Sequence, residues 1–151
     1  MAVTWGWYRL DDLSAREWHA VGCLRQSVFI VEQTCPFPDL DAADPDCLHL
    51  LGRDEAGQLL AYLRLVPPGI KYPEASLGRI VTAPAARGTG LGRLLLLEGL
   101  AEHQRRYPGL ANTIGAQARL EAFYQSVGFK TISEPYDEDG IQHIDMRWSP
   151  R

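Results

Sequence analysis

The segment with the strongest chemical character is Arg87-Gly88-Thr89-Gly90-Leu91-Gly92-Arg93, three alternate glycines between two arginines. Glycines let the backbone come close to a ligand. A helix that opens at such a loop presents free N–H groups and the positive end of its dipole. With a guanidinium at each end, the loop is suited to an anion, above all a pyrophosphate. Two other phosphate loops do not fit. A Walker A loop ends in Gly-Lys-Ser/Thr, whereas Gly92 is followed by Arg93 and Leu94, and a dinucleotide fingerprint needs glycine at the sixth position from Gly88, which is Arg93. A short glycine run also serves as a plain turn between packed elements. Its place between a strand and a helix, together with the flanking arginines, favours the anion site.

The residues around the loop supply that junction. A strand is expected over 77–82, bounded by Ala83-Pro84, and a helix over 91–105 with Leu91, Leu94, Leu95 and Ala101 facing inward. Tyr107-Pro108-Gly109 ends the helix and a strand follows over 112–116. A helical crossover returns the chain to the same end, so these two strands should run parallel, and ligands favour the carboxyl ends of such strands. Upstream, a strand over 3–8 precedes Ser14 and Glu17. These form a capping box opening a helix over 15–29, with Trp18, Val21, Leu24 and Val28 at helical spacing. Residues 33–46 hold three prolines and four aspartates and form a long acidic loop. Segments 47–53 and 58–66 read as a hairpin around the turn 54–57. The chain closes with a helix over 118–127, stopped by Gly128, and strands over 129–133 and 141–148 around the turn 137–140. This order predicts a mixed sheet with helices able to cover both faces, an α/β or α+β class, in one domain spanning 1–151.

Bulk composition narrows the partners. Of 151 residues 46% are hydrophobic and 23% charged, and 15 Lys and Arg against 19 Asp and Glu give a formal net charge of -4, so no nucleic-acid partner is expected. No apolar run approaches the about 20 residues of a bilayer span, and the first nine residues lack the basic head and apolar stretch of a secretory signal. No membrane association and a cytoplasmic location follow as expectations. Cys23, Cys35 and Cys47 fit neither a disulfide framework nor zinc spacing and read as free thiols. His19, His49 and His103 lack neighbouring ligands, and no metal is expected.

The pattern Arg-x-x-Gly-x-Gly, realised as Arg87, Gly90 and Gly92, resembles the acyl-CoA loop of the Gcn5-related N-acetyltransferases (GNAT) at the matching strand-to-helix junction. Residues 117–129 look like that family's last helix and strand, with an aromatic pair ending in Tyr124 before Gly128-Phe129. Gln117 and Leu120 stand where the family's common pattern has Asn and Ala. Segments 28–36, 115–118 and 139–144 look like the ElaA-type subgroup. The resemblance covers nearly the whole chain and implies a mostly antiparallel mixed sheet with one parallel strand pair. It also implies an acetyl-CoA-dependent N-acetyltransferase whose acceptor it does not settle.

Acetyl transfer from a thioester to an amine needs a held donor, a polarised carbonyl, a neutral amine and a proton for the leaving thiolate. The resemblance implies that the backbone of Arg87, Gly88, Thr89, Gly90, Leu91, Gly92 and Arg93 holds the pyrophosphate. It implies that Ile80, Val81 and Thr82 hold pantetheine, that a backbone N–H near Ile80 or Val81 polarises the carbonyl, and that Gln117 and Phe123 also contact the cofactor. Tyr124 is the expected general acid, against the plainer reading of a helix aromatic packed beside Phe123. A phenol of reference pKa about 10 protonates a thiolate of about 8.5 only when placed against it. For the base, His143 and Glu32 remain alternatives, as does an ordered water. His143 also reads as an ordinary structural residue. Arg79 and Gln117 are candidates for the acceptor side. Asp39, Asp41 and Asp44 either draw a cationic amine or simply keep their loop in water. Another class of function, a CoA-binding sensor or interaction module with little catalysis, stays open, as do a longer acyl chain and a homodimer through exposed sheet edges.

Overall fold

The first helix begins as its capping box demands. The Ser14 hydroxyl accepts from the Glu17 N–H, and the Glu17 carboxylate accepts from the Ser14 N–H, setting α1 (Ala15–Arg25) after β1 (Thr4–Arg9). The helix then runs past residue 29. Over Gln26–Glu32 it widens into i to i+5 turns, in which the Gln33 N–H donates to the Val28 carbonyl and the Cys35 N–H to that of Ile30. Wide turns of this kind recur at functional sites, and here they carry Phe29, Ile30 and Glu32 to the rim of a cleft. The computed structural model describes residues 2–151.

The hairpin of β2 (Leu48–Arg53) and β3 (Leu59–Val66) lies between β1 and β4 (Ser76–Thr82) in an antiparallel sheet ordered β1-β2-β3-β4. Helix α2 (Leu91–Arg106) leads to β5 (Asn112–Gln117), and α3 (Glu121–Gln125) follows a short 3-10 turn at Ala118–Leu120. The region expected as one strand over 129–133 is only β6 (Lys130–Thr131). A further strand, β7 (Tyr136–Glu138), hairpins into β8 (Ile141–Trp148) through Asp139 and Gly140, both with positive φ, and β8 pairs with β5, β6 and β7.

The parallel neighbours on either side of α2 meet at one point. Ala75 bridges Asn112, and the Thr113 N–H donates to the Ala75 carbonyl at 3.1 Å. The fully buried Asn112 limits the contact, because its side-chain oxygen takes the Leu77 N–H at 3.1 Å in place of β5 backbone. Its amide donates to Nδ1 of His103, whose Nε2–H donates to the Leu110 carbonyl, so this histidine is structural. Beyond Asn112 the two strands separate, and the gap between them is a cleft.

Two cores cover the first sheet. Leu63 and Leu65 of β3 pack with Leu95, Leu96 and Leu100 of α2, and Gly99 permits the approach, since a Cβ there would lie 2.9 Å from Leu63 Cδ2. The alternate residue Tyr62 packs with Val21, Leu24 and Val28 of the first helix. Leu94, expected inward, is 53% exposed. The buried arc of α2 runs through Leu91, Leu95, Leu96, Gly99, Leu100 and His103, and at about 100° per residue Leu94 falls outside it.

Strand β4 is irregular where it meets the cleft. Val81 pairs with Tyr62 and Gly78 with Arg64, so Arg79 and Ile80 together stand opposite Leu63. This bulge also flips the side-chain alternation. Leu77 packs on the α2 side and Val81 on the α1 side, although an even spacing would place them on one face.

Three of the acidic loop's four aspartates are neither in open water nor free to attract an amine, while Asp46 stays exposed. Asp39 and Asp44 are buried, and together with Asp41 they meet three guanidiniums. Arg25 donates to Asp39 at 2.7 Å and to Asp44 at 2.8 Å, Arg64 to Asp41 at 2.6 Å and Asp44 at 2.8 Å, and Arg79 reaches Asp39 at 2.9 Å.

Candidate active site

Two clefts of about 450 and 440 Å³ adjoin along the end of β4 and share Ile80, Val81, Thr82, Arg87, Leu120 and Tyr124. The second lies at the start of α2, walled by Ala86, Gly88, Gly90, Gly92, Arg93 and Phe123. Gly90 caps this 16-residue helix with φ 83°, and Gly88 has φ 77°. A Cβ at either would touch nothing within 4 Å, so the demand for glycine is conformational. No side chain caps the helix, leaving the N–H groups of its first turn open to an anion.

The two arginines of the loop already have partners. Arg87 donates to both carboxylate oxygens of Glu32, at 2.8 and 2.7 Å, and Arg93 reaches the Ser126 carbonyl and hydroxyl at 3.3 Å. Both arginines are exposed, and such contacts are worth little in water and exchange readily for a phosphate. The Arg87 hydrogen bonds hold the Glu32 carboxyl below the usual carboxylate range, which makes Glu32 a poor proton acceptor.

Tyr124 is 6% exposed, lies edge-on to Phe123 and Phe129 with ring centres 5.3 and 5.8 Å away, and lines both clefts. Burial pushes its pKa up to about 12, with Arg119 drawing it back slightly, so at neutral pH it is a donor.

The first cleft brings together Arg79, Gln117 and His143, while Phe123 lines only the second. Gln117 donates to the side-chain oxygen of Gln33 at 3.1 Å. His143 is 8% exposed. Its Nδ1 lies 2.8 Å from the Ile141 carbonyl and therefore carries hydrogen, and its Nε2 is 3.3 Å from Glu138. Its ring stacks on Tyr136, whose hydroxyl donates to Asp145 at 2.7 Å beside that of Tyr72 at 2.9 Å. Sequence reading missed Glu138, Tyr136, Tyr72 and Asp145. The β7–β8 register sets Tyr136 opposite His143, and that register appears only once the turn is fixed at residues 139 and 140.

Among the described residues no group of three or more His, Cys, Asp or Glu is placed to hold a metal ion, and no helix is long and apolar enough to cross a membrane.

A model of the acetyltransferase (GNAT) domain matches residues 46–150. The chain is 44% identical over 146 residues to a UPF0039 protein of Synechocystis sp., covering 97% of this chain and 95% of that protein. It is 36% identical to protein ElaA of Escherichia coli K12, covering 95% of each. The crystal structure of Escherichia coli ElaA matches with a TM-score of 0.91 at 35% identity, over 98% of this chain and 100% of that one. An acyl-CoA N-acyltransferase from Pseudomonas aeruginosa matches with a TM-score of 0.91 at 39% identity and the same coverage.

Proposed function

Since the chain belongs to the GNAT acetyltransferase family, in its ElaA-like branch, and is an acyltransferase, we propose that it moves an acetyl group from acetyl-CoA directly to a primary amine of a small molecule or protein. The observation that carries this reading is the buried phenol of Tyr124, which lines both clefts at once.

In this reading the pyrophosphate sits on the N–H groups at the start of α2, with Arg87 and Arg93 beside it and Gly88, Thr89, Gly90, Leu91 and Gly92 forming the cradle. Pantetheine follows Ile80, Val81 and Thr82 along β4, with Phe123 against it, and a backbone N–H near Ile80 or Val81 polarises the thioester carbonyl. The amine enters from the first cleft past Arg79 and Gln117. Its nitrogen attacks the carbonyl carbon, the carbon–sulfur bond breaks, and the thiolate takes the Tyr124 proton. With its pKa raised by burial the phenol is protonated at neutral pH, and it is placement against the sulfur that lets it give up the proton. The amine's own proton passes to His143 at Nε2 or through water. Glu32, bound by Arg87 on both oxygens, is the weaker candidate.

Calorimetric titration of acetyl-CoA into the wild type and Gly90→Val tests the reading. Valine at φ 83° is sterically disfavoured, so the loop should lose its shape and binding should disappear while circular dichroism stays unchanged. Binding by neither protein would return residues 87–93 to a plain turn, and binding without turnover would identify a CoA-binding module.

Because Glu32 competes with the donor for Arg87, Glu32→Gln should bind acetyl-CoA about two- to fivefold more tightly in the same titration. A weaker affinity would mean that Glu32 supports the loop.

A further inference from the structure

Arg79 is the residue of β4 in an unfavourable conformation. Its φ of +51° lies in the left-handed region that a Cβ disfavours, and it belongs to the bulge between Gly78 and Val81. Such strain persists only where surrounding groups over-determine it, and it concentrates at functional sites. The groups here come from the acidic loop. Nε of Arg79 is 2.9 Å from Oδ1 of Asp39, Nη2 donates to the Asp39 carbonyl at 3.0 Å, and Asp41 lies 3.4 Å from the same nitrogen. Asp39 is itself fixed. It is 8% exposed, and Arg25, with no exposed surface, donates to its carboxylate at 2.7 Å and to its carbonyl at 2.8 Å. A line of contacts therefore runs from the buried Arg25 of the first helix through the acidic loop to one residue of β4. The next residue, Ile80, lines both clefts.

We propose that Arg79 is a positioning residue. Anchored by Asp39, it holds the β4 bulge in the left-handed shape that presents the Ile80 edge to the reacting carbonyl, and this is the work of the acidic loop. What the edge does there rests on the acetyl-transfer reading, whereas the anchor does not. The Arg79 charge is neutralised by Asp39 and Asp41 and takes no part in the chemistry.

Arg79→Ala and Arg79→Gly separate the backbone from the side chain. Both remove the guanidinium and its ion pairs, but only alanine keeps the Cβ that penalises a positive φ. Acetyl-CoA hydrolysis, read as free CoA thiol, needs the polarised carbonyl and no identified amine. With alanine kcat should fall about 10- to 100-fold, as for a weakened oxyanion donor, and with glycine it should stay about tenfold above the alanine value. KM for acetyl-CoA should stay within about threefold of wild type in both, because the start of α2 is untouched. In thermal unfolding the glycine variant should melt no lower than the alanine variant, the reverse of the order at strand positions with ordinary φ. Equal losses of kcat would show that the guanidinium itself acts and would overturn the proposal, as would a glycine variant melting below the alanine one. If the wild type neither binds nor hydrolyses acetyl-CoA, the acetyl-transfer reading fails, and melting still decides the anchor: both variants should melt below the wild type for loss of the Asp39 pair, with alanine the lower of the two, and melting unchanged from wild type would overturn it.

Discussion

Tyr124→Phe should lower kcat for acetyl transfer or hydrolysis by about 10²- to 10³-fold, the usual contribution of a positioned general acid, and leave acetyl-CoA affinity nearly intact. The substitution removes one oxygen and nothing else. The ring keeps its edge contacts with Phe123 and Phe129, and no side-chain hydrogen bond to the phenol contributes to its raised pKa. Thermal stability should therefore hold or rise slightly, which separates lost chemistry from lost fold. With the pKa pushed up to about 12 by burial, the phenol stays protonated through pH 9, so any alkaline fall in rate below that belongs to another group. Steady-state kinetics with a thiol reagent would measure the effect. Unchanged turnover would remove Tyr124 from the chemistry and leave it as a packing residue between the clefts.

Legibility in the sequence followed distance along the chain. The loop 87–93 could be read because its chemistry is local: glycine spacing, flanking charge and the helix that follows are all contiguous. The capping box of Ser14 and Glu17 could be read for the same reason. Leu94 could not be placed, since Leu94, Leu95, Leu96 and Leu97 form an unbroken run that carries no phase. The acidic loop misled for a different reason. Four aspartates with prolines have the composition of a solvated turn, and their partners Arg25, Arg64 and Arg79 lie on α1, β3 and β4, 14 to 40 residues away. The Arg87–Glu32 pair spans 55 positions and the Tyr72–Asp145 contact 73, so neither leaves a trace in spacing. The β4 bulge left one faint signal, the isolated Gly78 inside its strand, but the left-handed position itself could not be read, because Arg79 is not a residue that left-handed backbone favours.

Asp44→Asn should destabilise the protein by about 3 to 5 kcal/mol, the range for breaking a buried ion pair on one side. Asp44 is 3% exposed and one of its oxygens accepts from both Arg25 and Arg64, which are themselves 0% and 2% exposed. Asparagine keeps the shape but leaves two buried guanidiniums short of one negative charge, and Nε of Arg64 already has no partner. Urea unfolding should show a lower midpoint with an unchanged slope. The same carboxylates set the acid limit. Burial alone would raise the Asp44 carboxyl, but the hydrogen bond and charge of Arg25 outweigh it, and Arg64 does the same for Asp41, so both titrate below the ordinary range. Groups with lowered folded values contribute stability that is present above the unfolded value of about 3.9 and disappears as pH falls through the folded ones. Wild-type stability should thus fall steeply below about pH 4, and Asp44→Asn should fall less steeply there, having already lost one of those carboxylates. A loss under about 1 kcal/mol, or an unchanged acid slope, would mean that the three arginines hold the loop without Asp44. Since Arg25 also fixes Asp39 and through it Arg79, loosening the network at Asp44 should reach the β4 edge, and kcat should fall in the surviving folded fraction.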